Sequence, residues 1–348
     1  MPLEIKQFLQ AHPLRAAGLP PVTELQVRQI GGGSINAAYQ LSTKDNDSEM
    51  ELFQKYSISS PSANDGPSAG GLRRPSRWFA KFNIAGTFPD LFLGEANGLS
   101  LLRRQHILRV PKTIAHIEAD DHQLLILEWI DEGLRSSKFW QLFGEQLAAL
   151  HRITQPQFGL SADNLVGTHP AADKEPALSA NNEPALPANN YMGALPQDNT
   201  PSADWVGFFI HRRLEPQLRL AADAHLLDKE ALMQFQRLYN HLPAIFPSET
   251  PSLLHGDLWS GNFLCDEQSR PVLIDPAVYY GHRYMDLAMT TLFGGFETPF
   301  YEAYHHHYPL APDYRRAWDI CNLYPLLIHL NLFGHSYLPQ ILNTIRSY

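Results

Sequence analysis

His255-Gly256-Asp257-Leu258-Trp259-Ser260-Gly261-Asn262, followed by Leu273-Ile274-Asp275-Pro276, decides how this chain is read. The run has the order H-x-D-x-x-x-x-N with a second Asp after a short interval, the spacing used for phosphoryl transfer. In that chemistry Asp257 takes or orients the proton of an attacking hydroxyl, while Asn262 and Asp275 hold Mg²⁺ against nucleotide phosphates. A carboxylate base beside a hard-cation site is what ATP-dependent phosphorylation of an alcohol requires. Taken alone, His255-Gly256-Asp257 reads better as a turn in which the Asp caps a helix. The flanks decide against that. Pro251-Ser252-Leu253-Leu254 is a short apolar strand, and Phe263-Leu264-Cys265 and Pro271-Val272-Leu273-Ile274-Asp275 are two strands joined at Asp266-Glu267-Gln268-Ser269-Arg270. Such a hairpin carries Asn262 and Asp275 back toward one point.

Upstream, 22–30 and 37–42 read as strands around Gly31-Gly32-Gly33-Ser34-Ile35-Asn36, whose glycines can take positive φ and approach phosphates closely. By itself that turn is an ordinary glycine-rich hairpin. Lys81 sits in the strand Trp78-Phe79-Ala80-Lys81-Phe82-Asn83, and Glu95 opens a helically spaced stretch through Gly98-Leu99 and Leu101-Leu102. Such residues are usually solvated; their order ahead of the His-Gly-Asp loop suits a lysine that binds α/β-phosphate oxygens and a helix Glu that pairs with it. Leu124-Leu125-Ile126-Leu127-Glu128-Trp129-Ile130 is a buried strand ending at Asp131-Glu132-Gly133, where kinases hinge, so adenine would bond backbone groups around Glu128, Trp129 and Ile130. An amphipathic helix follows at 139–152, with His151 as a packed residue at its end rather than a ligand. Two further helices, 204–222 and 228–242, are apolar on one face. Consecutive His305-His306-His307 cannot point at one ion from a helix and read as surface.

At 348 residues the chain is long enough for two lobes with their own cores. A formal net charge of −9 and the lack of any Lys/Arg-rich run argue against a nucleic-acid surface. No apolar run reaches the roughly 18 residues of a membrane span, and no apolar segment follows a basic start. Cys265 and Cys321 lie in apolar contexts without C-x-x-C spacing, and are expected reduced and buried. A cytoplasmic monomer with no nucleic-acid or membrane partner is therefore expected. Two stretches cannot build a core: an insertion about 57–76, rich in Ser, Gly and Pro, and another about 171–200. The latter nearly repeats Glu175-Pro176-Ala177-Leu178-Ser179-Ala180-Asn181-Asn182 as Glu183-Pro184-Ala185-Leu186-Pro187-Ala188-Asn189-Asn190, too short a period for a solenoid.

Gly256 after the His and Asp275-Pro276-Ala277 at the second Asp depart from the Arg and the D-F-G of protein kinases, and resemble aminoglycoside phosphotransferases and their relatives. Trp259 narrows this: H-G-D-L-W-S-G-N, then I-D-P-A-V-Y-Y-G-H-R and Asp286-Leu287-Ala288-Met289, resemble the fructosamine kinase (ketosamine-3-kinase) family. The likeness extends in order through Gly31-Gly32-Gly33-Ser34-Ile35-Asn36, the Lys81 strand, the Glu95 helix, Arg213-Leu214-Glu215-Pro216-Gln217-Leu218-Arg219-Leu220-Ala221 and the tail from Leu323 to Gly334. Tyr284 departs from the pattern, standing where the family usually has Glu.

The resemblance implies an α+β, two-lobed protein-kinase-like fold: a small antiparallel sheet N-lobe over 1–128, and a mainly helical C-lobe over 129–348. It implies ATP and Mg²⁺ in the cleft, a nucleotide loop at Gly32, Gly33 and Ser34, Asp257 as base, and Asn262 and Asp275 as metal ligands. Asp286 is expected to anchor the catalytic loop through backbone N–H groups, and Trp259 to offer the substrate an apolar platform or to pack in the core. The implied substrate is a small-molecule ketosamine or a glycated protein lysine, phosphorylated on the C3 hydroxyl, with deglycation as the outcome. Kinases of aminoglycosides, choline or free sugars share the triad and are the rival reading. A non-catalytic nucleotide-binding protein would be expected to lose Asp257, Asn262, Asp275 or Lys81, and all four are present.

Overall fold

A computed structural model of the chain describes residues 2–14, 17–31, 36–43, 76–165 and 188–348. The expectations for Gly32, Gly33 and Ser34, for the first insertion through residue 75 and for the duplicated stretch through residue 187 lie outside the described residues. The chain divides into two compact units, Met1–Gly86 with Thr113–Trp129, and Thr87–Lys112 with Ile130–Tyr348. This differs from a single cut at 128/129 by residues 87–112, which belong to the second unit, and by Trp129, which belongs to the first.

In the first unit, helix α1 (Pro2–Ala11) turns Ile5, Phe8 and Leu9 inward at the i, i+3, i+4 spacing of an apolar helix face. They meet an antiparallel sheet of β1 (Leu25–Ile30), β2 (Ala37–Thr43), β3 (Arg77–Ile84), β4 (Thr113–Ala119) and β5 (His122–Glu128), in the order β1-β2-β3-β5-β4. The two-residue alternation of a strand sends Ala80 and Phe82 of β3, with Leu124 and Ile126 of β5, into this core. Lys81 lies between the two core residues of β3 and pairs in register with Leu125, so it stands on the other face of the sheet. Asp120 and Asp121, both at positive φ, close the β4–β5 hairpin in two residues, as a turn matched to strand twist demands.

The second unit holds α2 (Leu91–Arg104), which carries Glu95 and lies against Asn190 and Val278 at its two small positions, Gly94 and Gly98. In α3 (Phe139–Leu150), Phe139, Trp140 and Phe143 pack edge and face against Phe263, Phe296 and Phe300. The C-terminal end of the stretch read as a surface insertion is not a loop: β6 (Asn190–Met192) pairs with β7 (Leu195–Gln197), and Asn190, Gln197 and Asn199 are buried. Each of their amides is hydrogen-bonded, which is what lets so polar a segment go inside.

The single helix expected over 204–222 is interrupted. It runs as α4 (Trp205–Phe208), a π-helical turn Phe209–Leu214 and α5 (Glu215–Asp223). The wide turn places Arg213 fully inside, where it donates to the Asp198 carbonyl at 2.6 Å and Asn199 Oδ1 at 2.8 Å and stacks over Tyr279 at 4.1 Å. Next come α6 (Lys229–Tyr239), α7 (Leu242–Ile245) and two small ribbons. In these, β8 (Ser252–Leu254) pairs with β11 (Tyr279–Gly281), and β9 (Phe263–Cys265) with β10 (Pro271–Leu273). Helices α8 (Tyr284–Leu292), α9 (Thr298–His307), α10 (Tyr314–Cys321), α11 (Leu323–Phe333) and α12 (Leu338–Ile345) complete the unit. His305, His306 and His307 are exposed, Cys265 and Cys321 are buried free thiols, and no helix of the described residues is long and apolar enough to cross a membrane.

Candidate active site

Strand β8 delivers His255, and the antiparallel register Leu273↔Phe263 of β9 and β10 returns the chain beside the loop. One residue beyond that register, the Ile274 N–H donates to the Asn262 carbonyl at 3.1 Å, which sets Asn262 next to Asp275. The Asn262 amide nitrogen donates to both the backbone oxygen and Oδ2 of Asp257, each at 2.9 Å. That fixes the Asp257 carboxylate and leaves the Asn262 amide oxygen as its remaining acceptor.

His255 lies under the loop. Its Nδ1 accepts the Asp257 N–H at 3.3 Å, so Nε2 carries the proton and donates to the Ile274 carbonyl at 2.9 Å. A neutral imidazole is required for both bonds, and burial pushes its pKa below the usual histidine value. Between the two residues Gly256 has φ +85°, and a Cβ there would sit 1.9 Å from the Ala277 carbonyl oxygen. No side chain fits, which is the physical reason for Gly in place of the Arg of protein kinases. Asp275 also adopts positive φ, 53°, a conformation an L-residue holds only where the surroundings enforce it.

Asp286 of α8 accepts the backbone N–H groups of His255 at 2.7 Å and Gly256 at 2.9 Å. Its Oδ2 also takes the Nε2 proton of His151 at 3.2 Å, and Tyr304 meets His151 Nδ1 at 2.8 Å. All three side chains are buried. The sequence marks His151 only as a packed helix residue; its partnership with Asp286 spans 135 positions, and no local pattern signals it. The segment after Asp275 is held in the same manner: Gln197 donates to the Ala277 carbonyl at 3.1 Å and Asn190 to the Val278 carbonyl at 2.9 Å. At the divergent position Tyr284 is fully buried, its hydroxyl accepts the Ala311 N–H at 3.2 Å, and its ring packs on His282. The neighbouring Arg283 is answered by Glu249 at 2.8 and 2.9 Å and donates to the Tyr308 and Pro309 carbonyls.

The other residues singled out from sequence are distributed between the units. Lys81, which is buried, and the half-buried Glu128 and Trp129 belong to the first, where Arg77 lies over the Trp129 ring at 5.5 Å. Glu95, Ile130, Asp257, Trp259, Asn262, Asp275 and Asp286 belong to the second. Trp259 is 36 % exposed, so it lies at the surface rather than in the core. Among the described residues no group of three or more His, Cys, Asp or Glu is placed to hold a metal. Asn262 and Asp275 instead offer an amide and a carboxylate oxygen from adjoining backbone, a hard donor pair that fits Mg²⁺ sharing its remaining positions with phosphate and water.

An antiparallel-sheet unit and a mainly helical unit, with the loop and hairpin of 255–275 in the second, are the parts of an ATP-dependent kinase of the α+β, protein-kinase-like class. A solved structure from Thermobifida fusca, assigned by name to the fructosamine-3-kinases, superposes with a TM-score of 0.71 at 28 % identity, over 97 % of this chain and 98 % of that one. The chain belongs to the fructosamine kinase family, whose profile matches residues 40–176 and 178–348. It is 34 % identical over 331 residues to the "Probable ketoamine kinase" of Lactiplantibacillus plantarum, covering 94 % of this chain and 96 % of that protein. It is 32 % identical over 274 residues to the mouse "Ketosamine-3-kinase", covering 78 % of this chain and 87 % of the mouse protein.

Proposed function

We propose that the protein phosphorylates the C3 hydroxyl of ketosamines, amines glycated by a sugar and rearranged to a 1-amino-2-ketose, with ATP and Mg²⁺. The observation that carries this reading is the junction of Asp257, Asn262 and Asp275 on one short hairpin, in a chain of the fructosamine kinase family. Asp257, its Oδ2 held by the Asn262 amide, orients the C3 hydroxyl and accepts its proton as the oxygen bonds to the γ-phosphorus. The bond from that phosphorus to the β,γ-bridging oxygen breaks and ADP departs. Mg²⁺ at Asn262 and Asp275 would neutralise charge on the phosphate oxygens. The nucleotide roles read for Gly32, Gly33, Ser34, Lys81, Glu95, Glu128, Trp129 and Ile130 belong to the same proposal.

The product carries phosphate β to the enolisable C1. Loss of a C1 proton expels phosphate from C3, water then releases the amine, and deglycation results. We place the reaction in the cytoplasm, where unpaired thiols such as Cys265 and Cys321 persist.

The test is a panel of glycated lysine analogues, free sugars, choline and aminoglycosides with Mg-ATP, the phosphate position being read by NMR. Ketosamines are expected to give the highest kcat/KM and a C3 phosphate, because the amine-bearing part supplies binding energy usable at the reacting hydroxyl. A free sugar, choline or aminoglycoside outperforming every ketosamine would reject the substrate class and leave the kinase standing. Asp275→Asn is expected to weaken Mg²⁺-dependent nucleotide binding by about tenfold or more, through loss of a metal-facing charge. Nucleotide titrations with and without Mg²⁺ measure it, and an unchanged Mg²⁺ dependence would remove Asp275 from the metal site.

A further inference from the structure

Among the described residues the exposed tryptophan and phenylalanine rings are Trp259, Phe293 and Phe333, and all three fall in one row. Trp259 meets Phe293, the residue that ends α8, with ring centroids 5.7 Å apart. Phe293 meets His329 of α11 at 5.0 Å, and His329 meets Phe333, one helical turn on, at 5.5 Å. Helix α11 stops at Phe333, and the short turn His335–Tyr337 folds Tyr337 back onto His329 at 5.0 Å. Burying large apolar rings is the usual outcome, so a contiguous exposed row of them marks a surface kept for binding.

The row starts at the chemistry. Trp259 is two residues from Asp257 and donates its backbone N–H to the Asp257 carbonyl at 3.2 Å. Its ring lies over Gly261, where a Cβ would come within 2.4 Å of the indole. The loop therefore covers one side of the ring, and its exposure comes from the other. The far end, at half-exposed Phe333, is open to solvent. Along the row the only ionisable ring besides the tyrosine is His329. Its Nδ1 donates to the Pro325 carbonyl at 2.7 Å, and burial lowers its pKa, which disfavours the charged imidazolium.

We propose that Trp259, Phe293, His329, Phe333 and Tyr337 form a subsite for the amine-bearing half of the substrate, a protonated secondary ammonium together with the hydrocarbon chain or ring it carries. The proposal rests on the ketosamine reading. In such a substrate the nitrogen is a few bonds from C3, so a hydroxyl held at Asp257 puts the ammonium beside Trp259 and sends its substituent along the row. A cation over the faces of Trp and Phe is attracted by their π-electron density. The apolar substituent is then covered by Phe293, Phe333 and Tyr337, while the open end accepts substituents of any length.

The test compares two fructose adducts that differ only in the amine, one of benzylamine and one of methylamine, with Mg-ATP and the full-length protein. The wild type is expected to favour the benzyl adduct in kcat/KM by about three- to tenfold, the range of an aromatic ring contact, since the ammonium is common to both adducts. Phe333→Ala and Phe293→Ala are expected to bring that ratio toward one by raising KM for the benzyl adduct while its kcat stays close to the wild-type value. A ratio near one in the wild type, or one that neither variant alters, overturns the subsite. A second arm needs no turnover: N-methylbenzylammonium is titrated while tryptophan fluorescence is followed, with Trp259→Phe identifying the reporter. Quenching that weakens in Phe333→Ala sustains the subsite, and absence of quenching overturns it. If the wild type phosphorylates neither adduct, the ketosamine reading falls, and this second arm alone decides the subsite.

Discussion

Asp257→Ala is expected to lower kcat by at least about a hundredfold while nucleotide affinity stays within about threefold of the wild type. The carboxylate is the one group in the loop that can take a proton from a bound hydroxyl. The structure keeps it aligned through the Asn262 amide at 2.9 Å and through its own N–H on His255 at 3.3 Å. Truncation removes the proton acceptor and leaves the Asn262 to Asp275 junction tied by the Ile274 N–H to Asn262 carbonyl bond. Nucleotide titration and steady-state turnover on the same preparation separate the two quantities. Turnover within threefold of wild type would end the assignment of Asp257 as base, and a parallel loss of nucleotide affinity would recast it as a metal ligand.

Asp286→Ala is expected to destabilise the protein by about 3–5 kcal/mol, because it strips the acceptor from several buried donors at once. Those donors are the backbone N–H of His255 and the imidazole of His151, both in the interior, and the half-buried backbone N–H of Gly256. Left unpaired inside, each costs its full desolvation penalty. Chemical denaturation followed by tryptophan fluorescence measures the loss, with Asp286→Asn as the milder variant, since its amide keeps one acceptor oxygen. A loss below about 1 kcal/mol, on the scale of an ordinary single hydrogen bond, would show that the loop finds other partners. Activity should fall with stability, because Gly256 at positive φ relies on this clamp to present Asp257.

Much of the catalytic loop was legible because its geometry is local. His255, Asp257, Asn262 and Asp275 lie on one short strand, loop and hairpin, where the polar spacing and apolar flanks constrain one another. The hairpin of β9 and β10 therefore follows from the residues themselves, whereas the need for glycine at 256 comes from the Ala277 carbonyl, which only the fold brings there. Lys81 on the face away from the α1 core follows equally from the two-residue alternation of β3.

The segment Asn190–Gln197 was not legible, and the reason is chemical. Asparagine, glutamine and proline read as loop composition, yet Asn190, Gln197 and Asn199 are buried because one another and the Ala277 and Val278 carbonyls satisfy them. Composition records polarity; only the fold records whether a polar group has a partner. Arg213 makes the same point: nothing in its local sequence shows that a π-helical turn buries this cation on Tyr279.

By itself, then, the sequence determined the kinase class, the family and the order of the candidate residues Asp257, Asn262 and Asp275, since these reside in spacing along the chain. The tertiary structure decided which distant groups hold that apparatus: His151 and Tyr304 behind Asp286, Glu249 opposite Arg283, and the row of rings from Trp259 to Tyr337. Those pairings join residues from separate elements, and a contact of that kind is set by how apolar faces pack rather than by any local pattern.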